Sequence, residues 1–576
     1  MAEPENGGMT PIQPKQKKEL PMELRLLVAF LLMGVVMFVT PYFYKATAPP
    51  PSAKPSAPAA PPSAPAQQSA APAAEPAPAS DIPAPAPVAA QKEDLFLIDT
   101  DWYRISFSNR GAVVTSWLLK AHRDTNGKPL ELVNTAAKVD RPFAFYFRDR
   151  KPGTDLNQAL FAASPDPDGL GVTYQFSDGK VLAKKTFRFQ KRGYLAKVSS
   201  LVTENGKFIP AWLAWRGGFG DLAVANPAAA QQTAHYDVSS GKLVKQAAKA
   251  AKDGPVSASG NFAFAGIEDT YFAVAFLPED TTAVDAITFS DSVRTAADQN
   301  EVPFAGTAVS DGATNHFAVY VGPKDLDTLR AVNPRLEDIV DFGWFAFLAK
   351  PLFLVVHWTT EHYIHNYGWA IIAITIVLNF LLFPLKISSM KSMKKMQALQ
   401  PQIAAINDKF KGIGMRDPRK ADQNQEVMEL YKKYGVNPMG GCVPMVLQIP
   451  FFIAFYKVFT VSVAMRGTSW LWVTDLSQPE HLAIKVLPLA MIASQFVMQK
   501  MTPNTSTDPN QQRMMMIMPL VFGFMFYNFS SGLVLYYLTS NLVGIAQQWF
   551  FNRTSVAEAL ARSVQMTAPK KKNGRK

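Results

Sequence analysis

The side chains best suited to metal or acid–base chemistry lie close together, at His357, Glu361, His362 and His365. Imidazoles and a carboxylate are the donor set of a zinc site. The run His357-Trp-Thr-Thr-Glu361-His362 is one residue longer than the inverted zinc-protease spacing, and the sequence contains no HExxH. The spacing therefore favours interfacial histidines over metal ligands. The single cysteine, Cys442, excludes an intramolecular disulfide and any multi-cysteine metal site. It stands at the start of an apolar run, where packing is the simpler role than nucleophilic attack. There is no Walker loop and no G-x-S-x-G. No catalytic residue, metal or cofactor is expected.

The more informative polar groups sit inside apolar runs. Thr375 and Asn379 are four residues apart and share a helix face. Gln448 precedes Pro450, which is expected to kink its helix, and Tyr456 and Lys457 follow. Gln495 and Gln499 are again spaced by four, and Tyr537, Asn541 and Gln548 share a face with Gly544 between them. Polar side chains within a bilayer are costly and usually face a bundle interior or a watery cavity. Their spread over four runs points to a shared polar cavity. The competing reading is a set of interhelical hydrogen bonds, worth under about 2 kcal/mol each. No intramembrane carboxylate pair accompanies them, which weighs against an ion-coupled transporter.

The elements that must position these groups follow from composition. The chain has 576 residues, 48% of them hydrophobic and only 18% charged, with 58 Lys and Arg against 46 Asp and Glu. A typical soluble protein is about 25% charged. A purely soluble or wholly disordered protein is excluded. Residues 1–25 form a basic cytoplasmic N-terminus, and 26–44 are long enough to cross a hydrocarbon core of about 30 Å. Ala46-Thr47-Ala48 resembles a signal cleavage site, but the run is longer than the roughly 7–15 residue core of a signal peptide. An uncleaved anchor fits better. Residues 45–92 are a Pro/Ala-rich tether.

Residues 93–331 have the texture of one all-β domain. Tyr103-Arg-Ile-Ser-Phe-Ser alternates apolar and polar, as do 181–189 and 194–202 less strictly. Asn109-Arg110-Gly111, Asn126-Gly127 and Asn205-Gly206 supply turns. Residues 332–366 read as an amphipathic helix in the membrane surface. A second transmembrane helix at 367–385 and helices three to six within 438–550 complete six spans. Lys and Arg are dense in 386–437 and in the tail 551–576, and sparse in the loop 466–481. That asymmetry places both termini in the cytoplasm and the β domain outside it.

Within 386–437, Met393, Met396, Leu399, Ile403 and Ile406 recur at three- and four-residue steps. Val427, Leu430 and Tyr431 resume the pattern after Gly412-Ile-Gly414 and Pro418. Two amphipathic helices folded into a cytoplasmic hairpin are expected. Met393 and Met396 would suit either adaptable contact with varied apolar segments or the hairpin's own seam. The tail from Pro569 to Lys576 is a basic run able to attract polyanions.

Several separate motifs, in order, carry a family resemblance. Asn437-Pro-Met-Gly-Gly-Cys442-Val-Pro444 with Gln448-Ile-Pro450 resembles the start of a span in the YidC/Oxa membrane-protein insertases. So do Trp472-Val-Thr-Asp-Leu476, Gln499-Lys-Met-Thr-Pro503, Asp508-Pro-Asn-Gln-Gln512, Ser531-Gly-Leu-Val-Leu-Tyr-Tyr537 and Ser540-Asn541-Leu542-Val543. The outer domain and its anchor resemble the Gram-negative arrangement, with Gly266, Asp269 and Tyr271 in a similar stretch. The resemblance implies a five-helix insertase core and a periplasmic β-supersandwich related to sugar-binding folds. It also implies a bacterial inner-membrane chaperone that hydrolyses no nucleotide. Such proteins take nascent membrane proteins from the ribosome or the Sec translocon and pass them to membrane lipids through a hydrophilic groove.

One position departs from the family. The usual groove arginine on the second span falls, by count, at Asn379. Lys457, beside Tyr456, is the candidate replacement, although it lies nine residues from Gln448, about half a turn round the helix. It can also snorkel to the outer headgroups. The expected groove set is Thr375, Asn379, Gln448, Tyr456, Lys457, Gln495, Tyr537 and Asn541, with Met393 and Met396 on the receiving hairpin. The alternative function is a small-solute transporter or an envelope enzyme with a sugar-binding outer domain. No carboxylate pair for sugar cleavage and no internal repeat among the spans speaks for it.

Overall fold

The computed structural model describes residues 86–554, apart from 125–126, 223, 225–226, 280–282, 295–300, 413–416, 418, 438–442 and 503–508. The expected anchor at 26–44, most of the tether, Cys442 and the basic tail lie outside the described residues. Two compact units are present, a hairpin within residues 392–440 and a larger unit formed by the flanking chain.

The larger unit opens with an antiparallel β domain of three sheets. Leu95–Asp99, Tyr103–Ser108, Val113–Arg123 and Pro129–Glu131 pair in chain order. A ten-stranded sheet is centred on Phe272–Pro278, Thr314–Pro323, Leu195–Glu204 and Val181–Phe189, which are neighbours in that order. A five-stranded sheet sets Trp212–Trp215 between Glu301–Ser310 and Ala144–Tyr146. The sheets bury a shared aromatic core. Phe107 and Phe187 have ring centroids 4.9 Å apart, Trp117 and Phe189 5.7 Å, and Phe143 and Trp215 5.9 Å. Asn205 and Gly206 both take positive φ, +50° and +78°, as a two-residue hairpin matched to strand twist requires.

Alternation in Val181–Phe189 is more regular than its sequence suggests. Val181, Ala183, Lys185, Phe187 and Phe189 all point inward. Lys185 is fully buried, and its ammonium donates to the carbonyls of Gly111 (2.8 Å), Ala112 (3.3 Å) and Phe143 (2.7 Å). A buried charge is tolerated when its hydrogen bonds are satisfied in this way.

Helix α1, Leu326–Val332, leaves the β domain, capped by Asp325, whose carboxylate accepts from the Thr328 amide at 3.0 Å. The single amphipathic helix expected over 332–366 is instead several pieces. A 3₁₀ turn at Leu336–Ile339 precedes α2, Ala346–Thr359, which ends in a π turn at Thr360–Ile364. His365 closes that turn in the left-handed region at φ +55°. Helix α2 buries Ala349, Phe353 and Val356 and exposes Phe347, Leu354, Val355 and Trp358, so apolar side chains line both faces, unlike the amphipathic helix expected. Asn366 caps α3, Tyr367–Leu381, by accepting from the amides of Gly368 and Trp369.

Helix α3 gives way at Leu382 to α4, Phe383–Lys409, which continues unbroken past residue 386. The expected boundary between span and hairpin at 385/386 is therefore not a break in the chain's helix. Helix α5, Arg419–Lys433, completes the hairpin. Then follow α6, Val443–Val461, α7, Val486–Met501, α8, Pro509–Phe526, and α9, Ser531–Arg553. Helix α6 carries Pro450 in its interior. Among the described residues no single helix is long and apolar enough to cross a membrane, and α2 with α3 forms a pair bent by 117°.

Candidate functional site

Helix α9 packs against both α3 and α7, and its two polar faces meet different partners. Tyr536, Ser540 and Gln547 recur along one face. Ser540 donates to Asn379 Oδ1 at 3.4 Å, and Gln547 Nε2 donates to the Asn379 carbonyl at 3.1 Å. Gln448, from α6, donates to the Tyr536 hydroxyl at 2.9 Å and to Ser540 Oγ at 3.5 Å. Asn379 donates to the Thr375 carbonyl at 2.8 Å, and Thr375 to that of Ile371 at 2.6 Å. Thr375 is fully buried and Asn379 is 4% exposed. These side chains form a polar seam between α3, α6 and α9. Lys386, from the first turn of α4, enters it by donating from Nζ to Asn379 Oδ1 at 2.6 Å. The Gln547 side-chain oxygen is buried with no hydrogen-bond partner among the described residues.

The second polar face of α9 packs on α7. Asn541 donates to Ser494 Oγ at 3.0 Å. Gly544 lets Met498 approach so closely that an added Cβ would lie 2.4 Å from its methyl carbon. Gln495 is on the same helix, with a buried oxygen that has no partner among the described residues.

The structure thus brings Thr375, Asn379 and Gln448 together and sets Asn541 one helix face away. Tyr537 packs on Phe526 and Phe452 at 5.1 and 6.4 Å, while its neighbour Tyr536 makes the bond to Gln448. Tyr456 packs on Phe529 at 5.8 Å. The Lys457 ammonium is 3.6 Å from Asp341 and its side chain lies against Gly343, in the segment leading to α2. Met396 is buried in the hairpin with Leu399, Ile403 and Val436, and Met393 packs against that cluster. Both methionines fill the hairpin's own seam.

Sequence reasoning missed Lys386, Tyr536, Ser540, Gln547 and Ser494. The four-residue step from Tyr536 to Ser540 was available as a signal. Lys386 carries no such signal, being one of many basic residues in 386–437.

The histidine cluster has local partners. His357 Nδ1 shares a hydrogen bond with the Tyr367 hydroxyl at 2.6 Å, and its Nε2 lies 3.1 Å from Glu361 and 3.5 Å from Asp327. His362 Nδ1 is 3.0 Å from the Trp358 carbonyl.

Residues of the family motifs tie the loop after α6 to the starts of α7 and α9. Trp472 Nε1 donates to Glu480 Oε1 at 2.7 Å, while Glu480 Oε2 accepts from the Leu487 amide at 2.9 Å. The amides of Ser531 and Gly532 donate to the carbonyls of Gln478 and Leu476, both at 2.8 Å. Gly266 lies where a Cβ would come within 1.9 Å of the Val274 carbonyl oxygen. Asp269 accepts from the amides of Tyr271 (2.7 Å), Phe272 (2.6 Å) and Asp221 (3.0 Å). Burial raises the pKa of Asp269 and pushes the Tyr271 hydroxyl up to about 12.

A β-sandwich joined to a helical bundle with a polar seam defines a class of membrane protein with a large extramembranous domain. Residues 96–355 match the model of the YidC periplasmic domain, and 359–558 that of the 60Kd inner membrane protein. A membrane protein insertase YidC from a Geobacter species is 35% identical over 79% of this chain and 85% of its own. One from Geobacter metallireducens is 35% identical over 94% of this chain and 100% of its own. The crystal structure of an active YidC insertase is 19% identical, covers 80% of this chain and 93% of its own, and has a TM-score of 0.35. The chain belongs to the YidC membrane protein insertase family.

Proposed function

We propose that this protein, a bacterial inner-membrane protein and not an enzyme, inserts hydrophobic segments of newly made proteins into the lipid bilayer along the seam between α3, α6 and α9. Family membership supports insertion. The observation that carries the route is the line of hydrogen-bonding groups from Lys386 through Asn379 and Ser540 to Gln448 and Tyr536. Donors and acceptors in a bundle lower the cost of moving a substrate's polar flank past hydrocarbon. The chain has six spans, both termini in the cytoplasm and the β domain in the periplasm. Nascent chains reach it alone or with the Sec translocon, the hairpin receives them, and the basic tail contacts the ribosome. The relatives lend no support to a solute transporter or a sugar-processing enzyme.

Photoreactive probes at Thr375, Gln448 and Asn541 test the route. A stalled nascent membrane chain should crosslink strongly at Thr375 and Gln448, and more weakly at Asn541, which faces α7. Equal labelling at all three, or labelling only on lipid-facing positions such as Phe524, sinks the seam as the path. Deletion of residues 567–576 should weaken ribosome cosedimentation at low salt, and unchanged binding across a salt series removes that contact.

A further inference from the structure

Lys485 is the single lysine or arginine in residues 467–499, and none occurs in 514–552. It stands immediately before α7, at the end of the bundle that meets the β domain, since the same loop begins at Arg466, paired with Asp221. A cation kept in so apolar a stretch calls for a use. Its partners in the fold are neutral. Nζ donates to the Tyr527 carbonyl and to Asn528 Oδ1, both at 3.0 Å, and lies 4.6 Å from the centre of the Tyr527 ring. Two of the three ammonium donors are thus occupied, and no described carboxylate pairs with it. The carboxylate on the same loop, Glu480, is taken by the Trp472 indole and the Leu487 amide.

The helix surfaces next to this ammonium are apolar and exposed. Val486 and Leu489 on α7 and Val521 and Phe524 on α8 all face outward, Phe524 at 88% exposure. Leu489 lies about one turn beyond Lys485, and Phe524 about one turn before Asn528. Gly523 keeps the two helices close, since a Cβ there would lie 2.3 Å from Ile492. A charge held above exposed hydrocarbon on two adjacent helices suits an amphiphile, with an anionic head and an acyl chain, better than a water-soluble anion. We propose that Lys485, positioned by Asn528, binds the phosphate of an anionic phospholipid in the leaflet on the β-domain side, with the acyl chain along Leu489 and Phe524. The site lies on α7 and α8, outside the seam of α3, α6 and α9, and does not depend on the insertion route.

The test uses the full-length protein in vesicles of equal phosphatidylglycerol and phosphatidylcholine. After extraction in mild detergent, native mass spectrometry reads the ratio of the two lipids retained. Lys485→Gln should lower the phosphatidylglycerol-to-phosphatidylcholine ratio about fivefold, the scale of one lysine at an anionic membrane surface. Lys485→Arg should keep the ratio, because the charge stays. Asn528→Ala should lower it partly, because the ammonium loses one of its fixed acceptors. Phosphatidylglycerol with a photoreactive acyl chain should label peptides holding Leu489 or Phe524, and should label them less in Lys485→Gln. A ratio unmoved by Lys485→Gln in folded protein overturns the proposal. A lower thermal midpoint with an unchanged ratio means the lysine only ties α7 to the turn before α9, and the proposal fails. Labelling confined to the basic hairpin also overturns it. If Lys485→Gln slows only clients with acidic flanks while the lipid ratio holds, the ammonium serves a client carboxylate instead. Far-UV dichroism of each variant separates loss of fold from loss of charge.

Discussion

Arg466 and Asp221 are 245 residues apart in sequence and form a buried salt bridge between the segment after α6 and the β domain. Their side chains are 7% and 2% exposed. The same guanidinium donates to the Arg123 carbonyl at 3.0 Å and lies over the rings of Tyr271 and Phe272, at 5.0 and 5.5 Å. Gly220, at φ +84°, makes room for Asp269 beneath this contact, since a Cβ there would be 1.9 Å from its carboxylate. The stretch holding Gly266, Asp269 and Tyr271 thus lies at a contact between the β domain and the segment after α6.

Breaking one partner of this pair leaves the other charged and buried. Arg466→Ala should destabilise the protein by about 3–5 kcal/mol. Arg466→Ala combined with Asp221→Ala should cost clearly less than the sum of the two singles. Chemical unfolding in detergent, followed by tryptophan fluorescence, reads this cycle, and strict additivity would show the contact to be incidental.

His122 packs edge-on against Phe272, ring centroids 5.3 Å apart, and its pKa is lowered to about 4 by burial and by the Arg466 cation. The folded state keeps this imidazole neutral, whereas the unfolded chain takes up a proton near the ordinary value of 6.5. Its stabilising contribution is therefore complete above pH 6.5 and falls as the pH drops toward 4. The full loss is at most about 3 kcal/mol. Urea midpoints measured between pH 4 and 7 should show this slope, and His122→Phe should flatten it.

Lys185 offers a contrast in how a buried charge is held. Its ammonium satisfies three backbone carbonyls and lies 4.0 Å from the centre of the Phe145 ring. Lys185→Met keeps the volume but leaves those carbonyls unpaired, at about 1–3 kcal/mol for each buried group. We expect a lower thermal midpoint for the β domain and no change in client preference. A stability equal to the unsubstituted protein would mean water replaces the ammonium.

In the hairpin, Met396 is 6% exposed and packs with Leu399, Ile403 and Val436. Met396→Leu should be nearly silent, because volume and apolarity are kept. Met396→Asp should loosen residues 392–440, seen as faster amide exchange there, and reduce insertion through loss of the hairpin. If Met396→Asp reduces insertion while exchange is unchanged, the methionine contacts substrate directly.

Periodicity and composition determined much of this protein. Alternation announced the strand Val181–Phe189, and Asn205-Gly206 its hairpin turn, because local sterics decide both. The apolar runs announced α3, α6, α7, α8 and α9, and the three- and four-residue steps announced the hairpin seam that holds Met396. Ordered motifs were enough to indicate the family. What local sequence could not give is which polar face meets which helix. Tyr536 and Tyr537 are adjacent and chemically alike, yet only packing of α9 against α6 directs one hydroxyl to Gln448 and leaves the other ring among phenylalanines. Nor does spacing reveal that Asp341 lies beside the Lys457 ammonium, or that Lys386 turns back onto Asn379 at the junction of α3 and α4. A side chain's neighbours across 100 residues of chain are fixed by helix packing, and no spacing rule within one helix encodes them.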